Sequence, residues 1–242
     1  MDFRRGRTSM DHLLIDWTYP VWEPKQSAPG VTVAVMTEHA LPLEEAYALI
    51  AGADPRPLLV LRECEHCKGT DHALLGRDLD NEQTILLTHW FRCVRLPPNV
   101  LERQHPFFNL FERQQDGARV PHVFLCSHDG SNKVTLPVDQ TQTRVWETLF
   151  SVLEREYVGD AKRAVKELRV LLGKFDKVDA MEAELNVSLA QEVDKNGLES
   201  EKAKRLQGEI LNLQKDRKTL LAKEKQIRSL AQRQPAAEHA VV

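Results

Sequence analysis

The chain has 242 residues, 42% of them hydrophobic and 29% charged, with 11 Gly, 12 Pro and 4 Cys. This composition excludes a collagen-like or wholly disordered chain, and the uncharged apolar runs fall far short of the roughly 20 residues that cross a bilayer. A formal charge of −3 gives no general reason to expect a nucleic-acid partner, and four cysteines are too few for a disulfide scaffold of this length.

The basic start of the chain gives way to Asp11, Asp16 and three prolines where an export signal needs an apolar core. The expected compartment is therefore cytoplasmic. Residues 1–30 read as an irregular arm whose apolar cluster (Leu13, Leu14, Ile15, Trp17, Tyr19, Val21, Trp22) packs onto a body. The β-branched run 31–35 predicts a strand. Leu43, Ala46, Tyr47 and Ile50 fall at helix spacing, with Gly52 and Pro55 as the stop. The apolar run 58–61 predicts a short buried strand of the kind a parallel sheet uses. A helix over about 67–79, a strand around 91–94 and a helix over 105–114 follow. Strands over 120–126 and 133–138 flank an Asp129-Gly130 turn. A helix over 143–157 closes the domain, with Val145, Trp146, Leu149, Phe150, Val152 and Leu153 on one face. This alternation predicts an α/β domain over 31–158.

The remainder differs in kind. Residues 160–233 carry 17 Lys+Arg and 13 Asp+Glu, Phe175 is their only aromatic, and no proline falls between 138 and 234. Long solvated helices are expected. Apolar residues step by three and four through Leu168, Leu171, Phe175, Val178, Leu185 and Leu189. They resume at Ala203, Leu206, Ile210, Leu213, Leu220 and Ile227. In a continuous coiled coil Glu192 and Glu199 would both occupy the seam, beside a Gly197 that costs about 1 kcal/mol in a helix interior. A helical hairpin turning at Asn196-Gly197 avoids both; the competing reading is one long helix that pairs with another copy. Either serves partner choice or oligomerisation. The module spans 160–232, and 233–242 reads as a disordered tail.

The chemistry is expected at Cys64-Glu-His-Cys67. Two cysteines separated by two residues, directly after an apolar strand and opening a helix, suit a redox dithiol. A thiolate at a helix N-terminus meets unsatisfied N–H groups and the positive end of the helix dipole. Cys64 would attack a protein disulfide and Cys67 would resolve the mixed disulfide. A protonated His66 would favour the Cys64 thiolate, and Glu65 would oppose it. The same pair is also half a zinc site, which Cys93, Cys126, His66 or His72 would have to complete, or an inert vestige. Cys93 and Cys126 lie in apolar strands, where free cysteine is usually a small buried hydrophobe. The expectation is accordingly a dithiol with no metal and no cofactor.

The element order, the strand–CxxC–helix junction with Lys68 after it, and Arg119-Val-Pro-His122 further on resemble the thioredoxin superfamily. The resemblance covers about residues 31–157. It implies a thioredoxin-like mixed sheet flanked by helices and a thiol–disulfide oxidoreductase acting on protein substrates. It also implies that Pro121 is cis and faces the dithiol, with Val120 offering backbone hydrogen bonds to the substrate. His before the second cysteine is similar to disulfide isomerases and oxidants. Glu63 stands where thioredoxins proper have Trp, Glu65-His66 where they have Gly-Pro, and Leu58 where they bury an acid. A non-catalytic scaffold acting through its helices is the alternative.

Overall fold

The computed structural model describes residues 5–21, 40–64, 74–76, 81–111, 120–137 and 140–233. The strand expected over 31–35, most of the helix expected over 67–79, and the tail from 234 lie outside these residues. The chain divides into two compact units: Ile15–Val158 with Gln232–Val242, and Met1–Leu14 with Gly159–Ala231.

The first unit is built on a five-stranded mixed sheet. Its strands are β1 (Trp17–Thr18), β2 (Leu58–Arg62), β3 (Arg92–Leu96), β4 (Val123–Cys126) and β5 (Val134–Leu136), in the order β1-β3-β2-β4-β5. β1 and β2 both run parallel to β3, while β4 is antiparallel to β2 and β5 to β4. Among the described residues the α-helices are α1 (Arg7–His12), α2 (Leu43–Ala51), α3 (Asn81–Thr88), α4 (Gln142–Glu156), α5 (Ala161–Asn196) and α6 (Glu201–Arg228). Every residue of β2 is buried, as a central strand covered on both faces requires. Leu58 and Val60 join Ala46, Tyr47 and Ile50 of α2 in one core cluster. Leu59 and Leu61 have the opposite parity and face the other side. There α3 and α4 are tied by Trp146 Nε1 donating to Thr84 Oγ1 at 2.9 Å. Tyr157 donates its hydroxyl to the Trp90 carbonyl at 2.6 Å, closing the layer behind α4.

Three expectations change. The arm expected over 1–30 is not one element: residues 15–21 belong to the sheet through β1, and 1–14 to the helical unit. A two-residue edge strand is too short to show alternation, so no sequence pattern marks it. The helix expected over 105–114 is a 3-10 turn at Phe108–Leu110 within its described part. His105-Pro106 disfavours an α conformation just before it. β4 starts at Val123 rather than 120, because Pro121 has no N–H to give a ladder. The turn at Asp129-Gly130 stands as expected. Gly130 has φ +85° and lies so close to Tyr47 that a Cβ would run into its ring.

In the second unit α5 runs 36 residues, about 54 Å at 1.5 Å per residue. Asp160 caps its start, accepting from Arg163 N at 2.9 Å. Gly197, at φ +81° and ψ 165°, ends it, and Ser200 caps α6 by accepting from Ala203 N at 3.1 Å. The two helices form an antiparallel hairpin. Lys202 pairs with Glu192 at 3.2 Å, and Arg217 pairs with Asp179 at 2.9 Å and with Glu182. Leu168, Leu171, Phe175 and Val178 are buried on α5, and Ala203, Leu206, Ile210 and Leu213 on α6. The tip is more ordered than a solvated end: Glu192 is buried and accepts from Asn196 at 2.8 Å and Ser200 at 3.0 Å. α1 lies on α5 through Ser9 Oγ donating to Leu172 O (2.8 Å), Gly6 N to Asp176 (2.8 Å) and Thr8 N to Asp179 (2.7 Å). Among the described residues no helix is long and apolar enough to cross a membrane.

Candidate functional site

β2 ends at Arg62, and the chain continues through Glu63 to Cys64 at the carboxyl end of this central strand. Arg62 N donates to His122 O at 2.7 Å, and Glu63 N donates to Leu96 O at 2.9 Å. The backbone up to Cys64 is thus held on both sides by its neighbours. In open α/β sheets, ligands bind outside the carboxyl ends of the strands, which is where this residue sits.

Cys64 is disulfide-bonded. Cys93 and Cys126 are free and buried, and burial pushes both thiols up to about 12. That is the state expected of core cysteines, and it leaves them unreactive near neutral pH. His66 and Cys67 lie outside the described residues, as does the helix start whose dipole would act on Cys64. Among the described residues no group of His, Cys, Asp or Glu could hold a metal ion.

The polar setting is supplied by Arg62, which the sequence reading passed over. Its residue is 8% exposed. It donates through one terminal nitrogen to Glu63 O (3.1 Å) and through the other to Val120 O (3.2 Å), while its Nε has no partner among the described residues. Burial holds its pKa below the ordinary guanidinium value. The available signal was a cation ending an otherwise wholly apolar run, Leu58-Leu-Val-Leu-Arg62. A charge placed there has to be desolvated, and such placements concentrate at functional sites. His122 stands beside it. Burial, then the Arg62 charge, lower its pKa below 6.5, against one opposing hydrogen bond to the Arg62 backbone. His122 is therefore a neutral imidazole at pH 7.

Glu63 is neutralised by Arg95 Nε at 2.6 Å, and the Arg95 guanidinium lies 6.0 Å from the centre of the Trp17 ring. Three adjacent strands thus contribute to one short polar chain: Trp17 from β1, Arg95 from β3, Glu63 after β2. A groove of about 360 Å³ opens after β1 and β3, lined by Pro20, Val21, Pro97, His105, Pro106 and Phe107 among others. It lies at the same carboxyl end of the parallel strands as Cys64.

One expectation drawn from the resemblance is not met here. No peptide bond among the described residues is cis, the Val120–Pro121 bond included. The Val120 carbonyl, part of the backbone expected to contact the substrate, accepts from Arg62 at 3.2 Å. A buried guanidinium needs acceptors, and this carbonyl is one of the two it finds. No family model, curated protein or solved structure matches the chain.

Proposed function

We propose that residues 15–158 form a thioredoxin-like domain and that the chain is a thiol–disulfide oxidoreductase acting through Cys64 and Cys67 on protein disulfides. The observation that carries this reading is the disulfide at Cys64, at the carboxyl end of the central strand, while Cys93 and Cys126 remain free in the core. The fold reading is supported by the order β1-β3-β2-β4-β5, in which β1, β3 and β2 run parallel, β4 runs against β2 and β5 against β4.

In the reducing direction the Cys64 thiolate attacks one substrate sulfur and the other leaves as a thiolate. Cys67, losing its proton, then attacks Cys64 and releases the second substrate thiol. The domain ends as a disulfide and the substrate as two thiols; an external thiol restores the starting state. Arg62 favours an anion at the end of β2.

A second reading, a scaffold working through its helical hairpin, draws on the trans Val120–Pro121 bond. One experiment separates the two. With the resolving thiol removed, Cys67→Ser should accumulate mixed disulfides through Cys64 when the reduced protein meets a model disulfide substrate. If Cys67→Ser traps no more substrate than Cys64→Ser/Cys67→Ser, the scaffold reading stands.

A further inference from the structure

Arg62 is a buried charge without a counterion among the described residues. It stands at the end of β2 and is 8% exposed. Both terminal nitrogens donate to main-chain carbonyls, those of Glu63 (3.1 Å) and Val120 (3.2 Å), and its Nε has no partner among the described residues. The carboxylate next to it in sequence, Glu63, is held by Arg95 Nε at 2.6 Å. His122, the other titratable neighbour described here, is neutral at pH 7 because burial and the Arg62 charge hold its pKa down. Carbonyl oxygens satisfy the donors of a guanidinium without cancelling its charge, and a charge kept out of water without an opposite partner is costly.

That charge is placed beside Cys64 by covalent geometry. The Glu63 carbonyl that accepts from Arg62 belongs to the peptide unit whose nitrogen is that of Cys64. Peptide dimensions then put the guanidinium within roughly 6 Å of the Cys64 Cα. Cys64 is disulfide-bonded in this structure, and a disulfide carries no charge. Reduction releases a thiol that can ionise. The oxidised state thus leaves Arg62 uncompensated, and the reduced state supplies the missing anion.

We propose that Arg62 is the counter-charge of the Cys64 thiolate and that, by stabilising the reduced state, it biases the pair toward oxidising protein dithiols. The inference rests on the dithiol function proposed for Cys64 and Cys67, and it selects the reverse of the reducing direction. One substrate thiolate attacks Cys64, and Cys67 leaves and takes up a proton. The second substrate thiolate then attacks the substrate sulfur of the mixed disulfide, and Cys64 leaves as the thiolate beside Arg62. The substrate loses two electrons and becomes a disulfide, and the pair gains both. Of the two substrate protons, one ends on Cys67 and the other in solvent. A small-molecule disulfide such as oxidised glutathione restores the starting state. Arg62 acts on Cys64 and touches no substrate, so it is a positioning residue.

The test compares the full chain with Arg62→Met and Arg62→Lys, with circular dichroism verifying the fold of each. Potentials are read by equilibration with glutathione, and the Cys64 titration by thiolate absorbance in reduced chains carrying Cys67→Ser. Cys93 and Cys126, pushed up to about 12, stay silent in this range. At pH 8 Arg62→Met should move the equilibrium about tenfold toward the disulfide, a potential lower by about 30 mV, and Cys64 should titrate higher. At pH 5 the difference should vanish, because Cys64 is then a thiol in both chains, whereas an effect of packing would persist. Arg62→Lys keeps the charge and should stay within about threefold of the unsubstituted chain. The proposal is overturned by an unchanged potential in Arg62→Met, by a difference that persists at pH 5, or by a lysine variant displaced as far as the methionine one. It is equally overturned, with no Arg62 variant needed, if Cys64 beside Arg62 titrates at or above about 8.5. Absence of any transition shared by Cys64 and Cys67 refutes the oxidoreductase reading instead, and the Cys64 titration still decides whether Arg62 is its counter-charge.

Discussion

Arg62 and His122 are coupled, and pH exposes the coupling. His122 is held below its ordinary pKa, so between that lowered value and about 6.5 the unfolded chain binds more protons than the folded one. Stability therefore rises with pH through this window and falls as pH drops from 7 toward 5. Asp54, Asp176 and Glu182 are also held low, which extends the loss below about pH 4. For Asp176 burial alone would raise the pKa, and hydrogen bonds from Ser9, Arg5 and Gly6 outweigh it. Urea unfolding at pH 7 and pH 5 should show the weaker fold at pH 5, with His122→Gln flattening that part of the profile. Arg62→Met should move the His122 pKa upward in an NMR titration; an unchanged value would mean that burial alone sets it. Cys93 and Cys126, with thiols pushed up to about 12, should resist alkylation in the folded, reduced protein and react once it is denatured.

At the level of elements, two glycines differ from the rest in what they permit. Gly173 and Gly208 lie inside α5 and α6, and a Cβ at either would meet nothing within 4 Å. Replacing each by Ala should stabilise the helical unit by about 0.5–1 kcal/mol, read from thermal unfolding. Gly197 also has open space around it, yet its φ of +81° with ψ 165° belongs to a region that is nearly glycine's alone. Gly197→Ala should cost about 1–3 kcal/mol through backbone strain. The contrast isolates conformation from sterics. The hairpin was legible because Asn196-Gly197 breaks the seam where Glu192 and Glu199 would otherwise be buried. It was legible only in outline, since the network of Asn196, Ser200 and Lys202 that makes a buried Glu192 acceptable depends on partners brought together by the turn.

For the whole molecule, the chain divides between Val158 and Gly159. The placement of residues 1–14 was not legible. Gly6, Thr8, Ser9 and His12 are held by Asp176, Asp179, Leu172 and the Phe175 ring, more than 160 residues away. No local pattern records such a pairing. The sheet was legible where strands are fully buried, as at Leu58–Arg62, and not at Trp17–Thr18, which is marked only by its register with Cys93 and Val94. A chain ending at Val158 should keep the sheet unit folded while residues 5–14 lose their hydrogen-exchange protection. Slow exchange at Ser9 and Met10 in that truncated chain would contradict the assignment of the N-terminus to the helices. The sequence points to Cys64 as the proposed dithiol's first member, whereas Arg62 and its bond to the Val120 carbonyl emerged only from the fold.

The central claim is that Cys64 and Cys67 cycle as a dithiol. It is tested most directly by equilibrating the full chain in glutathione or dithiothreitol buffers of graded potential and counting alkylated thiols by mass. The account predicts one intramolecular two-electron transition, tenfold in the oxidised-to-reduced ratio per about 30 mV. The transition should be abolished by Cys64→Ser and by Cys67→Ser and unaffected by Cys126→Ala. Titration of Cys64 as an isolated thiol that only takes up glutathione, with no transition shared with Cys67, would contradict it.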